Sequence, residues 1–287
     1  MREKKITIQP VMEHVMVEVP HLKDIPVVIL CGGQGMRIRE ISELLPKPML
    51  PIGGRPVLWH IMMIYAAHGF RRFILCLGYK GEEIKDYFLH LNTRNVDFTL
   101  DFTGKLEAPN MHFHAIDDLV SDWTVTLADT GLDTLTGGRI ARIAKYLDQD
   151  TFMLTYGDGV GNIDLRGLLS HHVTNGELIT TTGVHPPARF GRIEIENGKV
   201  SDFAEKPQAE DGYISGGFMV ANRAFITHYL SESASCVLER DALPSAARDG
   251  VMGVYHHHGF WMPMDNHVEY NALNKLWASG EAPWKIW

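Results

Sequence analysis

The chain has 287 residues, 45% hydrophobic and 22% charged, an ordinary soluble composition with enough apolar material for one large α/β domain or two smaller ones. Its net charge of −8 argues against a nucleic-acid partner, which needs a basic surface, yet leaves room for a local basic pocket around a small anion. Three scattered cysteines exclude a disulfide framework or a zinc cluster, and no apolar run reaches membrane-spanning length, so a cytoplasmic protein with no membrane partner is expected.

The first residues, MREKK, lead into no unbroken apolar stretch, because Glu13, His14 and Glu18 interrupt it. Val15, Val17 and Val19 alternate with other residues ahead of Pro20, which suggests an added strand in an N-terminal extension over residues 1–25. From residue 26 onward the chain reads as a single domain. Val27 to Cys31 make a buried strand that runs straight into Gly32, Gly33 and Gly35, with Arg37 beside them and Lys47 held between Pro46 and Pro48. Glycines at a strand end let the backbone turn tightly and bring N–H groups against a bulky anion, so this stretch predicts a triphosphate cradle. It is not a P-loop, since no Gly-Lys pair precedes Ser or Thr at that spacing. Nor is it a dinucleotide fingerprint, because Ile38 stands where the third glycine belongs. A glycine-rich turn without a ligand fits the same residues.

A helix follows over 57–68, with Val57, Leu58, Ile61, Met62 and Tyr65 on its core face. Then come a strand at 73–77, a turn over Gly78 to Gly81 and a helix at 82–90. Strand-like pieces at 96–102, 111–116 and 123–128 precede a helix that starts near Thr134 and reaches Leu147. A strand at 152–156 ends in Gly157-Asp158-Gly159. In an open α/β sheet that position lies at the ligand-binding edge, where a carboxylate between glycines serves as a hard-cation ligand or simply as a turn residue. The remainder is β-rich: 178–185, a hairpin from Ile193 to Val200 around Asn197-Gly198, and 214–221, with helices at 222–231, 239–249 and 266–279. Alternating strands and helices predict an α/β fold, a mostly parallel mixed sheet with helices on both faces and β-rich insertions. His256, His257 and His258 read as a packed or exposed tract, since neighbours on a strand point to opposite faces. Trp261, Trp277, Trp284 and Trp287 are expected to bury against a neighbour or a subunit, which favours a homo-oligomer.

The segments GGQGMR, PKPM, GYKG, TGGR, TYGDG, RFGRI, EKP and FWMPMD, in this order, resemble the sugar-phosphate nucleotidylyltransferases. GGRPVLWHIM, LADTGLDTLTGGR and the terminal APWK are similar to the glucose-1-phosphate cytidylyltransferase branch, and the resemblance runs from Pro26 to the C-terminus. It implies a Rossmann-like nucleotidyltransferase core. The implied reaction joins a nucleoside triphosphate, here CTP, to a hexose 1-phosphate such as glucose 1-phosphate, giving a CDP-sugar and pyrophosphate with Mg2+ as cofactor. Carried over by position, Gly32, Gly33, Gly35 and Arg37 would hold the triphosphate, Lys47 would offset its charge, and Gly137, Gly138 and Arg139 would lie along the nucleotide. Asp158 and Asp265 would bind the metal, while Gly191, Glu205, Lys206 and Gly217 would line the sugar-phosphate pocket. Arg37, Lys47 and Asp158 would thus form the catalytic set.

The chain departs from the family where Met36 replaces the usual Thr of the phosphate loop, where NHVEYNALNKLW follows Asp265, and where Leu238 to Leu243 lack the usual leading Trp. A different sugar phosphate, alditol phosphate or nucleotide, or a non-catalytic nucleotide-sugar-binding relative, is the alternative the same residues leave. The chemistry itself asks mainly for cations. A sugar phosphate with a second pKa near ~6 is already a dianion at neutral pH, so two anions must be brought together and no general base is required.

Overall fold

The computed structural model describes residues 21–34, 45–103, 109–115, 120, 122–185 and 212–287, and the backbone alone of 192–196 and 199–204. Seven strands form one sheet: β1 (Pro26–Leu30), β2 (Arg72–Leu77), β3 (Thr124–Asp129), β4 (Thr151–Tyr156), β5 (Ile179–Val184), β6 (Ile214–Asn222) and β7 (Met252–His257). Their spatial order is β7-β5-β6-β4-β1-β2-β3. Every neighbouring pair is parallel except those made by β6, which runs against both β4 and β5. This is the mixed, mostly parallel sheet expected.

The central strands are apolar without interruption because helices cover both faces. Successive side chains sort accordingly. Val27, Ile29, Phe73 and Leu75 pack with the helix Val57–Ala67, while Val28, Leu30, Ile74 and Cys76 pack with Ile140, Phe225 and Leu238 on the opposite face. Cys31 and Cys76 are buried free thiols, as expected. Burial pushes the Cys76 thiol up to about 12 and holds Cys31 well above its ordinary value, so neither is a reactive thiolate.

The helix Val57–Ala67 is buried on nearly all sides rather than on one face, because the C-terminal tail wraps its outer surface. His60 lies beside Trp277 (ring centroids 4.6 Å apart), Trp284 and Trp287, and Trp59 meets Trp287 edge-on at 5.7 Å. His60 donates from Nε2 to Ile52 O at 2.9 Å and accepts at Nδ1 from Trp284 Nε1, so the neutral imidazole is the form the site holds; burial pushes its pKa down to about 4. The terminal tryptophans therefore bury against their own chain and give no support to a subunit contact.

Other differences arise from short elements. The expected helix from 134 to 147 is an α-helix over Thr136–Arg142 followed by a 3-10 turn at Ala144–Tyr146. The one at 239–249 opens with a π-turn over Leu238–Ala242. The pieces near 96–102 and 111–116 pair with each other as a hairpin, Phe98–Asp101 with Asn110–Phe113, apart from the main sheet. Arg192–Glu196 pairs antiparallel with Lys199–Ala204, the two arms of the expected hairpin; the Asn197-Gly198 turn itself lies outside the described residues. The added strand suggested at 15–19 lies outside the described residues. Strand β7 carries His256 and His257; His257 is buried and donates from Nε2 to Phe260 O at 3.2 Å, whereas His256 and His258 stack near Tyr213 and His185. Among the described residues no group of three or more His, Cys, Asp or Glu side chains is arranged to hold a metal ion, and no helix is long and apolar enough to cross a membrane.

Candidate active site

The carboxyl ends of β1, β2 and β4 stop at one edge of the sheet, where a cavity of about 230 Å³ opens. Gly32 and Gly33 form its floor beyond β1. The loop is tied down by Tyr79 N donating to Gly32 O and Gly157 N donating to Leu30 O, both at 3.1 Å. Beneath it lies Arg139, almost fully buried. Its guanidinium donates to Leu77 O (2.8 Å), Gly131 O (2.8 Å), Gly32 O (3.0 Å), Leu132 O (3.2 Å) and Thr130 Oγ1 (2.7 Å). Burial lowers its pKa, so the charge is sustained by carbonyl dipoles. A Cβ at Gly32 would lie 2.3 Å from the guanidinium carbon, so glycine is what lets the loop rest on this arginine. Arg139 thus borders the cavity while its hydrogen bonds organise the loop around it.

Lys47 enters from the 3-10 turn Lys47–Met49. Its ammonium donates to Asp158 Oδ2 at 2.6 Å and to Asp265 Oδ1. Burial works against this charge, but Asp158 and then Asp265 outweigh it and hold the ammonium above its ordinary value. Asp158 and Asp265 are 107 residues apart in sequence. They meet because the short strands Gly159–Gly161 and Trp261–Pro263 pair antiparallel, with Met264 N donating to Asp158 O at 2.8 Å. Asp265 is held in turn by the start of the helix His267–Ala278: Asn266 Oδ1 accepts from Val268 N and Glu269 N, and Glu269 Oε2 accepts from Asp265 N at 2.6 Å. Two carboxylates aimed at one point form a hard-oxygen donor pair. That suits a divalent cation whose remaining positions are filled by phosphate oxygens and water.

Tyr156, the last residue of β4, borders this cavity and a second of about 60 Å³ that Ser215, Gly216, Gly217 and Trp261 also line. Gly217 sits at φ +76°, and a Cβ there would lie 2.6 Å from Tyr156 Cδ2, so glycine answers both the backbone angle and the ring. Trp261 Nε1 donates to Gly216 O at 2.8 Å.

The structure therefore brings together Gly32, Gly33, Lys47, Arg139 and Asp158 around one cavity, Asp265 beside it, and Gly217 in the adjoining one. Gly137 and Gly138 do not border the cavity. Their Cβ positions would strike Cys236 Sγ and Ser233 O, so close packing against residues 233–236 is what requires glycine there. Gly35, Met36, Arg37, Gly191, Glu205 and Lys206 lie outside the described residues. Sequence reasoning passed over Tyr156 and Thr136, which border the cavity. Tyr156 stands inside the TYGDG segment, and its position before Asp158 is the signal for it.

A family profile described as "Nucleotidyl transferase" matches residues 26–276. The chain is 42% identical over 261 residues to the "Probable glucose-1-phosphate cytidylyltransferase" of Bacillus subtilis (strain 168), which covers 91% of this chain and 99% of that protein. It is 41% identical over 265 residues to the glucose-1-phosphate cytidylyltransferase of Salmonella typhimurium, covering 91% of this chain and 98% of that one. Among solved structures, HddC from Yersinia pseudotuberculosis shares the fold, with a TM-score of 0.63 at 23% identity over 88% of this chain and 99% of the other. The strand-end glycine loop, the converging carboxylates and these likenesses agree, and the chain belongs to the nucleotidyl transferase family, in the branch that holds the glucose-1-phosphate cytidylyltransferases.

Proposed function

We propose that this protein transfers the cytidylyl group of CTP to glucose 1-phosphate, giving CDP-glucose and pyrophosphate, with Mg2+ held by Asp158 and Asp265. The observation that carries the proposal is the convergence of Lys47, Asp158 and Asp265 beside the glycine-floored cavity, in a chain 42% identical to a relative named for this reaction. The phosphate dianion of the sugar attacks the α-phosphorus of the triphosphate. One P–O bond forms as the bond to the β-phosphate bridge breaks, and its electron pair leaves with pyrophosphate. The attacking oxygen carries its own lone pair, so no Ser, Cys or His nucleophile and no general base is needed.

The work left to the protein is to bring two anions together in line and offset the charge they develop. The Lys47 ammonium does this from the cavity side. Gly32 and Gly33 offer a backbone that phosphates can approach closely, and Leu135, 46% exposed at the cavity wall, offers an apolar surface to a base. A divalent cation, when bound, supplies charge neutralisation at the phosphate oxygens. Arg37 belongs on the triphosphate in this scheme, and Gly191, Glu205 and Lys206 with Gly217 on the sugar phosphate. A reducing cytoplasm suits the three free cysteines.

Pyrophosphate release with glucose 1-phosphate and Mg2+, measured in parallel with CTP, UTP, dTTP, ATP and GTP, tests the proposal. Release with CTP far above the others is the expected result. Release led by another triphosphate would overturn the base assignment, and silence across all five and across other sugar phosphates would overturn the transferase itself.

A further inference from the structure

The Tyr156 ring stands between the two cavities, and two contacts hold it there. Gly217 leaves the space the ring edge fills. The phenol hydroxyl donates to Glu239 Oε1 at 2.6 Å, and Glu239 Oε2 accepts from Thr136 Oγ1, also at 2.6 Å. Thr136 Oγ1 in turn accepts from Leu238 N at 3.0 Å, which commits both its proton and a lone pair. One carboxylate therefore ties the end of β4 to the first turn of the helix Thr136–Arg142, two of the elements that wall the larger cavity.

Glu239 comes from the π-turn Leu238–Ala242, 83 residues from Tyr156 and 103 from Thr136. A π-turn replaces the usual i→i+4 helical hydrogen bonds with i→i+5 ones and is frequent at functional sites. Here it aims an exposed carboxylate back at the cleft. A carboxylate is a poor neighbour for phosphates, and the two bonds above are to hydroxyls rather than to a cation, so its contribution is geometric. Burial first, and then Glu239, hold the phenol above its ordinary pKa, so the hydroxyl keeps the proton it donates.

We propose that Glu239 is a positioning residue: its carboxylate clamps the Tyr156 ring as the partition between the nucleotide and sugar-phosphate halves of the site, and so sets the affinity for the sugar phosphate. This rests on the transferase proposed above, which assigns the two cavities to the two substrates. The clamp adds a partner that none of the phosphate-binding segments contains.

Four proteins test it: Glu239→Ala, Glu239→Gln, Tyr156→Phe and the double variant Glu239→Ala/Tyr156→Phe. Loss of the Tyr156–Glu239 hydrogen bond, the one both variants remove, predicts a KM for glucose 1-phosphate raised about tenfold in each of Glu239→Ala and Tyr156→Phe, with kcat and the KM for CTP within about threefold of wild type. The double variant should be no worse than either single one. Glu239→Gln should recover most of the loss, since its amide can accept from Tyr156 and donate to Thr136. An additive double variant, an unchanged KM for the sugar phosphate, or a loss that merely tracks the thermal midpoint would overturn the clamp. A second readout needs no turnover. The ring-labelled tyrosine NMR signal of Tyr156, assigned by its disappearance in Tyr156→Phe, should shift in Glu239→Ala, and an unmoved signal would overturn the proposal. Should the wild-type protein turn over no triphosphate, the transferase proposal fails while this signal still decides the clamp.

Discussion

Lys47→Met preserves the length of the side chain and removes its charge, and it should push cation binding and turnover in opposite directions. In the free protein the ammonium is shared by Asp158 and Asp265; the three side chains are 12%, 33% and 37% exposed. A unit charge pair ~4 Å apart interacts by ~4 kcal/mol at an effective dielectric of ~20. With the carboxylates a third exposed, solvent screening leaves about 1–2 kcal/mol of this. A divalent cation that takes both carboxylates must overcome that attraction, so its removal should tighten cation binding in the absence of nucleotide by about tenfold. Turnover should fall by about 10²–10³-fold, because one donor that offsets charge in the transition state is gone. Titration with Mn2+ followed by electron paramagnetic resonance measures the first quantity, and coupled pyrophosphate release the second. Cation binding that is unchanged or weaker in Lys47→Met would show that the ammonium does not compete for those oxygens, and turnover within about threefold of wild type would remove it from the phosphate chemistry. The folded-state pKa of Lys47 is raised above its ordinary 10.5, so its linked stability is complete below that value and is lost as pH rises through the folded one. The stability difference between wild type and Lys47→Met should accordingly vanish in strongly alkaline buffer.

Asp158→Asn should abolish pyrophosphate release while leaving the thermal midpoint nearly unchanged, since the side chain is partly exposed and Lys47 keeps Asp265; retained turnover would take Asp158 out of the cation set. His60, fully buried, has a pKa lowered from 6.5 to about 4, so the unfolded chain binds the extra proton in that window and stability drops as pH falls through it. The loss is about 3 kcal/mol across the whole window. His172 and His257 are also held below their ordinary values and act with the same sign, so the measurement is urea unfolding of wild type against His60→Gln at pH 7 and near 4, where the variant should show a shallower decline. Arg139→Lys places a single ammonium where a planar fork serves five acceptors, leaving buried carbonyls unpaired; a destabilisation of about 3 kcal/mol in urea is expected, and one under about 1 kcal/mol would show the fork to be dispensable.

Local pattern by itself determined much of this protein. The apolar run from Val27 to Cys31 and the glycines after it declare a strand end, and Asp158 between two glycines declares another; the parallel sheet follows from the alternation of such strands with helices. Both ends fall at the same edge because parallel strands must present their carboxyl termini together. What only the tertiary structure decided depends on contacts between distant segments. Asp158 and Asp265 meet through two three-residue strands too short to carry any periodicity. Arg139, charged and in the middle of a short helix, turns inward because Gly32 and Gly78 leave it room and five acceptors wait there, a fit that no spacing along the chain encodes. The last tryptophans close over His60 within the chain, although an exposed subunit contact would have the same sequence. Glu239 reaches Tyr156 and Thr136 only because a π-turn aims it there. Strands and turns are written in near neighbours, whereas a site assembled from side chains a hundred residues apart is fixed by hydrogen bonds and packing that exist only once the chain has closed on itself.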